Sequence, residues 1–203
     1  MPHERLARLL DVIEHDIAPR TRVGVEHGNK VFGAAILRAD DLSLVVAETN
    51  NEVENPLWHG EIHAIKRFYE LPGGARPAPA DCLFLTTHEP CSLCLSGIAW
   101  SGFPLFTYLF SHADSADSFA IPYDIAILRG VYAVADPDRA APDPHRDLYN
   151  RQNAYFTSSD LAAEVRGSGD PDLWARVERI GEEYARLSAT YQRGKGGHGI
   201  PHA

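Results

Sequence analysis

Leu6, Leu9, Leu10, Ile13 and Ile17 recur at helical intervals, which predicts an amphipathic helix over residues 4–17 that Pro19 ends. Two apolar runs follow, Lys30–Leu37 (KVFGAAIL) and Leu42–Glu48 (LSLVVAE), flanking Ala39-Asp40-Asp41. They predict two strands joined by a tight turn. A polar loop from Thr49 to Pro56 leads into Trp58–Leu71, where Ile62, Ile65 and Phe68 mark one helical face and Pro72-Gly73-Gly74 ends it. Asp81–Thr87 (DCLFLTT) is an apolar run bounded by turn signals and fits a buried strand. Pro90 then takes the first turn of a short helix running to Trp100. Pro104–Phe110 is the next strand, with Phe106, Tyr108 and Phe110 as core; a helix over Ile121–Arg129 and a strand over Gly130–Ala135 complete the pattern. Strands alternating with helices indicate an α/β sheet covered on both faces.

Beyond Pro142 the character shifts. Asp170-Pro171 forms a cap and first-turn pair, and Leu173, Val177, Ile180, Tyr184 and Leu187 then spell one apolar stripe on a terminal helix. Such a stripe packs against the domain or against a partner copy. The last residues, Gly194–Ala203, read as a disordered tail. The expected organisation is a domain over residues 1–165 followed by a helix and flexible tail over 166–203.

Composition narrows the function classes. A chain of 203 residues that is 44% hydrophobic can bury one sizeable core. A net charge of −9 and a pI near 5.5 disfavour a nucleic-acid binder without excluding a local basic patch. The sequence holds neither a signal-peptide core nor a run fit to span a bilayer, so the expectation is a cytoplasmic protein without a membrane partner. Three cysteines, Cys82, Cys91 and Cys94, include one C-x-x-C pair. An odd count in that spacing points to metal or redox chemistry rather than a disulfide framework.

The chemistry concentrates in His59-Gly60-Glu61 and Pro90-Cys91-Ser92-Leu93-Cys94. Zinc prefers nitrogen and sulfur donors, and a catalytic zinc site leaves one of its positions open for water. Cysteines three residues apart at a helix start can face one point, and the helix N-terminus favours their thiolates. His59 opens the other helix and supplies the third donor. Glu61 can reach the attacking water without ligating the metal, take its proton, and pass it to a substrate nitrogen. The implied reaction is attack on an amino-bearing ring carbon with loss of ammonia.

H-x-E followed by P-C-x-x-C resembles the signature of zinc nucleobase deaminases. Residues 5–135 resemble the cytidine-deaminase superfamily, and within it the branch of guanine deaminases and tRNA adenosine deaminases. Val31-Phe32-Gly33-Ala34, Glu89–Trp100 (EPCSLCLSGIAW) and Ser111–Asp117 (SHADSAD) are similar to guanine deaminases in particular. The resemblance implies a three-layer α/β/α sandwich around a five-stranded mixed sheet, a Zn2+ cofactor, a small base or nucleoside substrate, and a homodimer. It also implies substrate contacts from Asn50 and Trp100, and it makes Asp114, Asp117 and Asp124 candidates for an acidic pair. This chain departs from the family's usual H-A-E after Asp-Pro-Thr, reading Asn55-Pro56-Leu57-Trp58-His59-Gly60-Glu61. Its C-terminal extension does not resemble the short family tail.

Plainer readings stand beside these. The cysteine pair could belong to a structural zinc site, with His88, His112 or Cys82 as a fourth ligand, or to a redox couple. A zinc protein serving assembly alone, or a tRNA-editing enzyme, are the alternative functions. Asn50 could cap the loop backbone, and Trp100 could pack the core. His63 reads as a hydrogen-bonded, partly buried side chain, Cys82 as an inert core residue, and His198 and His202 as solvated.

Overall fold

The first apolar stripe does not stop at Pro19. In this computed structural model, which describes residues 2–122, 127, 151–152 and 154–194, helix α1 (Pro2–Val12) passes through a π-helical turn (Ile13–Ile17) into α2 (Ala18–Glu26). The Ala18 N–H reaches back to the Ile13 carbonyl, and Pro19 falls in the first turn of α2. Pro19 has no N–H to add to the ladder, yet the rod continues where the sequence pattern predicts an end.

Strands β1 (Gly33–Arg38) and β2 (Leu44–Thr49) form the expected antiparallel pair. Helix α3 (Gly60–Glu70), strand β3 (Cys82–His88), helix α4 (Ser92–Trp100) and strand β4 (Leu105–Phe110) follow in the predicted order. Pro90 precedes α4 rather than entering it, because Cys91 takes the N-cap. Next come α5 (His112–Asp117), β5 (Thr157–Asp160), α6 (Leu161–Ser168) and α7 (Pro171–Gly194). Most of the helix expected over 121–129, the strand expected over 130–135, and the tail residues 195–203 lie outside the described residues.

The sheet is five-stranded and mixed, in the order β2-β1-β3-β4-β5. β1 runs antiparallel to β2 and β3, whereas β3, β4 and β5 are parallel. Side chains alternate across it with the period of two that strands impose. Ala34, Ile36, Phe84, Phe106 and Tyr108 face a core shared with Ala64 and Phe68 of α3 and Leu95 and Ile98 of α4. Ala35, Leu37, Leu83, Leu85 and Leu109 face a second core built from the N-terminal rod, α6 and α7. The result is an α/β/α sandwich. The stripe Leu173, Val177, Ile180, Tyr184 and Leu187 is buried in that second core, with Tyr184 fully inaccessible. Asp170 Oδ1 accepts the N–H groups of Asp172 and Leu173, capping α7 as expected. No described helix is long and apolar enough to cross a membrane.

Candidate metal centre

Helices α3 and α4 lie on one face of the sheet and begin at the same end of it, beside the carboxyl end of β3. That is where ligand sites collect in sheets with parallel strands. His59 is the N-cap of α3 and Cys91 the N-cap of α4, and neither side chain caps its own helix. Both are therefore free to turn inward. Cys91 Sγ lies 3.5 Å and Cys94 Sγ 3.7 Å from His59 Nδ1. Among the described residues these three, and no fourth histidine, cysteine or carboxylate, form this converging group.

The fourth ligands weighed from sequence are engaged elsewhere. Cys82 begins β3 at the opposite end of the strand and bonds to the Ala78 carbonyl. His88 Nδ1 meets Thr87 Oγ1 at 3.0 Å, while the ring packs among Phe32, Phe110, Phe119 and Tyr184. Burial and the nearby His112 hold this imidazole down to about 3. His112 faces Glu89 and the Pro90 carbonyl. His63 Nδ1 contacts the Thr49 carbonyl at 2.9 Å and its ring stacks on Trp58. One nitrogen and two sulfurs without a fourth protein donor is the donor set of an open zinc site rather than a closed structural one.

Glu61 lies in the first turn of α3, is buried, and has Oε2 3.3 Å from Cys94 Sγ. Desolvation, helped by the charge of Cys91, raises its carboxyl to about 7. Burial alone would lower His59, but the hydrogen bond to Cys91 and the charges of Cys91, Glu52 and Glu61 outweigh it and raise the imidazole to about 9. Cys91, accepting from the Cys94 thiol and from His59, is held well below the usual thiol range although burial opposes this. Cys94 is pushed up, first by burial and then by its neighbour. The pair thus arrives with one thiolate already favoured.

The glycine of His59-Gly60-Glu61 has a steric cause. A Cβ on Gly60 would lie 2.8 Å from Gly33 Cα and 2.9 Å from the Phe32 carbonyl oxygen. Both are backbone atoms that cannot swing aside, so α3 starts in contact with the beginning of β1. Alanine does not fit there without moving one of them.

Residues 13–110 match the model of the cytidine and deoxycytidylate deaminase zinc-binding region. Nearly half of the chain is thus similar to that zinc-binding region. Guanine deaminase of Bacillus subtilis strain 168 is 31% identical over 90 residues, a match covering 43% of this chain and 54% of that enzyme. The matched stretch thus spans about half the length of that relative. The solved guanine deaminase of Nitrosomonas europaea superposes with a TM-score of 0.52 at 18% identity, covering 89% of this chain and 84% of the other. A mutant protein solved in complex with 8-azaguanine gives 0.51 at 18% identity over 92% and 85%. At these identities the structural likeness carries the fold alone. The α/β/α sandwich with a five-stranded mixed sheet is the fold expected from sequence and the one shared with the solved Nitrosomonas europaea structure, and the histidine and two cysteines fit the zinc of the matched region.

The two expected substrate contacts lie in different surroundings. Asn50 stands beside the group, 1% exposed, with Nδ2 donating to Glu52 Oε2 at 2.8 Å and Oδ1 accepting the Gly60 N–H at 2.5 Å. It fastens the start of α3 to the preceding loop. Trp100 is not brought to the group. It is 91% exposed at the far end of α4, and the uninterrupted helix carries it about 13 Å from Cys91 at 1.5 Å per residue. Asp114 completes a capping box with Ser111 at the start of α5, Asp117 ends that helix, and Asp124 lies outside the described residues. The sequence pattern also passes over Lys30 and Glu52, a buried ion pair beside the site. Charged residues in a loop ordinarily signal solvent, and nothing in their spacing marks them out.

Proposed function

We propose that this chain is a zinc-dependent hydrolytic deaminase of an amino-substituted nitrogen heterocycle, releasing ammonia. The reading rests on one observation: a buried carboxylate, Glu61, beside a three-donor His-Cys-Cys group. When bound, zinc supplies Lewis-acid activation of the attacking water. Glu61 accepts a proton from that water, delivers it to the ring nitrogen, and then carries a proton to the departing amine. Overall, water and the amino-bearing ring yield the ring carbonyl and ammonia. His59, Cys91 and Cys94 are the ligands in this scheme. Asn50, which lies beside the group and fastens the Gly60 N–H, is the residue proposed to touch the base.

The substrate favoured is a free base or nucleoside, a guanine-like purine ahead of cytosine or cytidine, supported by the Bacillus subtilis relative. The assembly proposed is a homodimer. Trp100 and Leu93, both exposed, lie one heptad apart on the same side of α4 and are the apolar groups such an interface can cover. Light scattering checks the mass in solution. The decisive experiment measures ammonia release by zinc-loaded protein from guanine, cytosine, cytidine and adenosine, with an adenosine-bearing tRNA stem-loop as a further arm. Release from guanine that Glu61→Gln abolishes is the expected outcome. Release from the stem-loop alone transfers the reading to tRNA editing, and no release from any substrate removes the enzyme reading.

A further inference from the structure

Glu52 is a carboxylate with 1% of its side chain exposed, in a loop that reaches no apolar core. Burying such a charge is costly unless several partners meet it. Lys30 Nζ, itself buried, approaches Glu52 Oε1 at 2.9 Å, and Asn50 Nδ2 donates to Oε2 at 2.8 Å. A third neighbour is His59 Nε2, 3.6 Å from Oε1. The imidazole thus lies between two negative groups. Its Nδ1 edge faces the sulfurs of Cys91 and Cys94, and its Nε2 edge faces Glu52.

We infer that Glu52 is a positioning residue for the metal centre, holding the proton of His59 on Nε2 and so presenting the Nδ1 lone pair to the metal. A neutral imidazole carries its proton on one nitrogen only, and the partner of one nitrogen decides which of the two is free to ligate. The 3.6 Å contact is electrostatic rather than a full hydrogen bond. At this depth a carboxylate nevertheless biases two tautomers that differ little in water. Lys30 and Asn50 have a separate part. Lys30 offsets the charge of Glu52 in the buried loop, whereas Asn50 aims the carboxylate and also fastens the Gly60 N–H next to His59.

This inference rests on His59 being a ligand, and the test separates the two. Zinc retention is measured by competition with a chromogenic chelator for wild type, Glu52→Gln, Lys30→Gln and His59→Ala, alongside melting of the zinc-free proteins. Both Glu52→Gln and Lys30→Gln break the buried ion pair, but only the first takes the carboxylate from His59. Glu52→Gln is expected to weaken zinc affinity roughly 10–100-fold, with Lys30→Gln staying within about threefold of wild type even where its zinc-free form melts lower. Equal losses in the two variants, or no loss in Glu52→Gln, reduce Glu52 to a loop staple and overturn the inference. Should Glu52→Gln fail to fold, Lys30→Gln decides alone: retained affinity supports the assignment and a tenfold loss overturns it. A wild-type protein that takes up no zinc, or a His59→Ala variant that keeps it, removes the metal reading itself.

Discussion

The two helical layers of this protein obey different rules. The layer of α3 and α4 places its chemistry at helix starts: His59 and Cys91 are N-caps, and Glu61 and Cys94 lie in the first turns. The opposite layer, made by the N-terminal rod, α6 and α7, has its informative residues along helix lengths, as the stripe from Leu173 to Leu187. One layer is specified by a few residues at fixed spacing, the other by a period. The lesson is that damage should separate cleanly, with activity lost on one side of the sheet and stability on the other.

The largest effect expected is on the first side. Glu61→Gln should reduce turnover about 10²–10⁴-fold, the range for removing a general acid–base, while bound zinc, by metal analysis, and Tm stay near wild type. A variant retaining full ammonia release would merge the two layers' roles and sink the proposed mechanism. On the other side, Tyr184→Ala should cost about 3–5 kcal/mol in urea unfolding, as for truncation of a large buried aromatic, without changing zinc stoichiometry. Gly60→Ala crosses the divide. The new methyl meets the backbone of Phe32 and Gly33, so a loss of about 1–3 kcal/mol in stability should come with weakened zinc retention.

The smallest effect sharpens the comparison through pH. His88 sits in the second layer's core with its imidazole at about 3, so the folded protein binds fewer protons than the unfolded chain between that value and about 6.5. Stability contributed by the neutral ring is therefore intact above about pH 6.5 and falls as pH drops, by up to about 1.4 kcal/mol per pH unit. Urea titrations of zinc-free wild type and His88→Leu at pH 7, 6 and 5 should differ in slope, the variant being flatter. Parallel slopes would mean that the imidazole is not held neutral.

Much of this architecture can be read without coordinates where a residue's type and spacing act together. The H-x-E and C-x-x-C spacings bring four side chains to one place because helix starts converge at one end of a sheet. The stripe on α7 is buried because five apolar groups on one face have no cheaper fate. Other features answer to contacts that only the folded chain creates. The rod runs through Pro19 because a π turn shifts the hydrogen-bond register just before it. Strand β5, Thr157–Asp160, is four polar or charged residues at a sheet edge, so it has no apolar alternation to notice. Lys30 and Glu52 are buried by each other, a pairing across 22 residues that no local pattern announces. Trp100 is the converse case: the resemblance implies a pocket contact, whereas in this chain the ring is exposed, two helical turns from the cysteines.

His59 and Cys91 are separated by 32 residues of chain that includes α3 and β3. A metal gripped by both ends is thus a removable cross-link, clasping two helices that are otherwise held by apolar contact. Because the unfolded chain offers no assembled grip, free zinc at a hundredfold its dissociation constant adds about 2.7 kcal/mol to the folded state. Cofactor supply would then govern not only how fast such a protein works but how long it survives proteolysis.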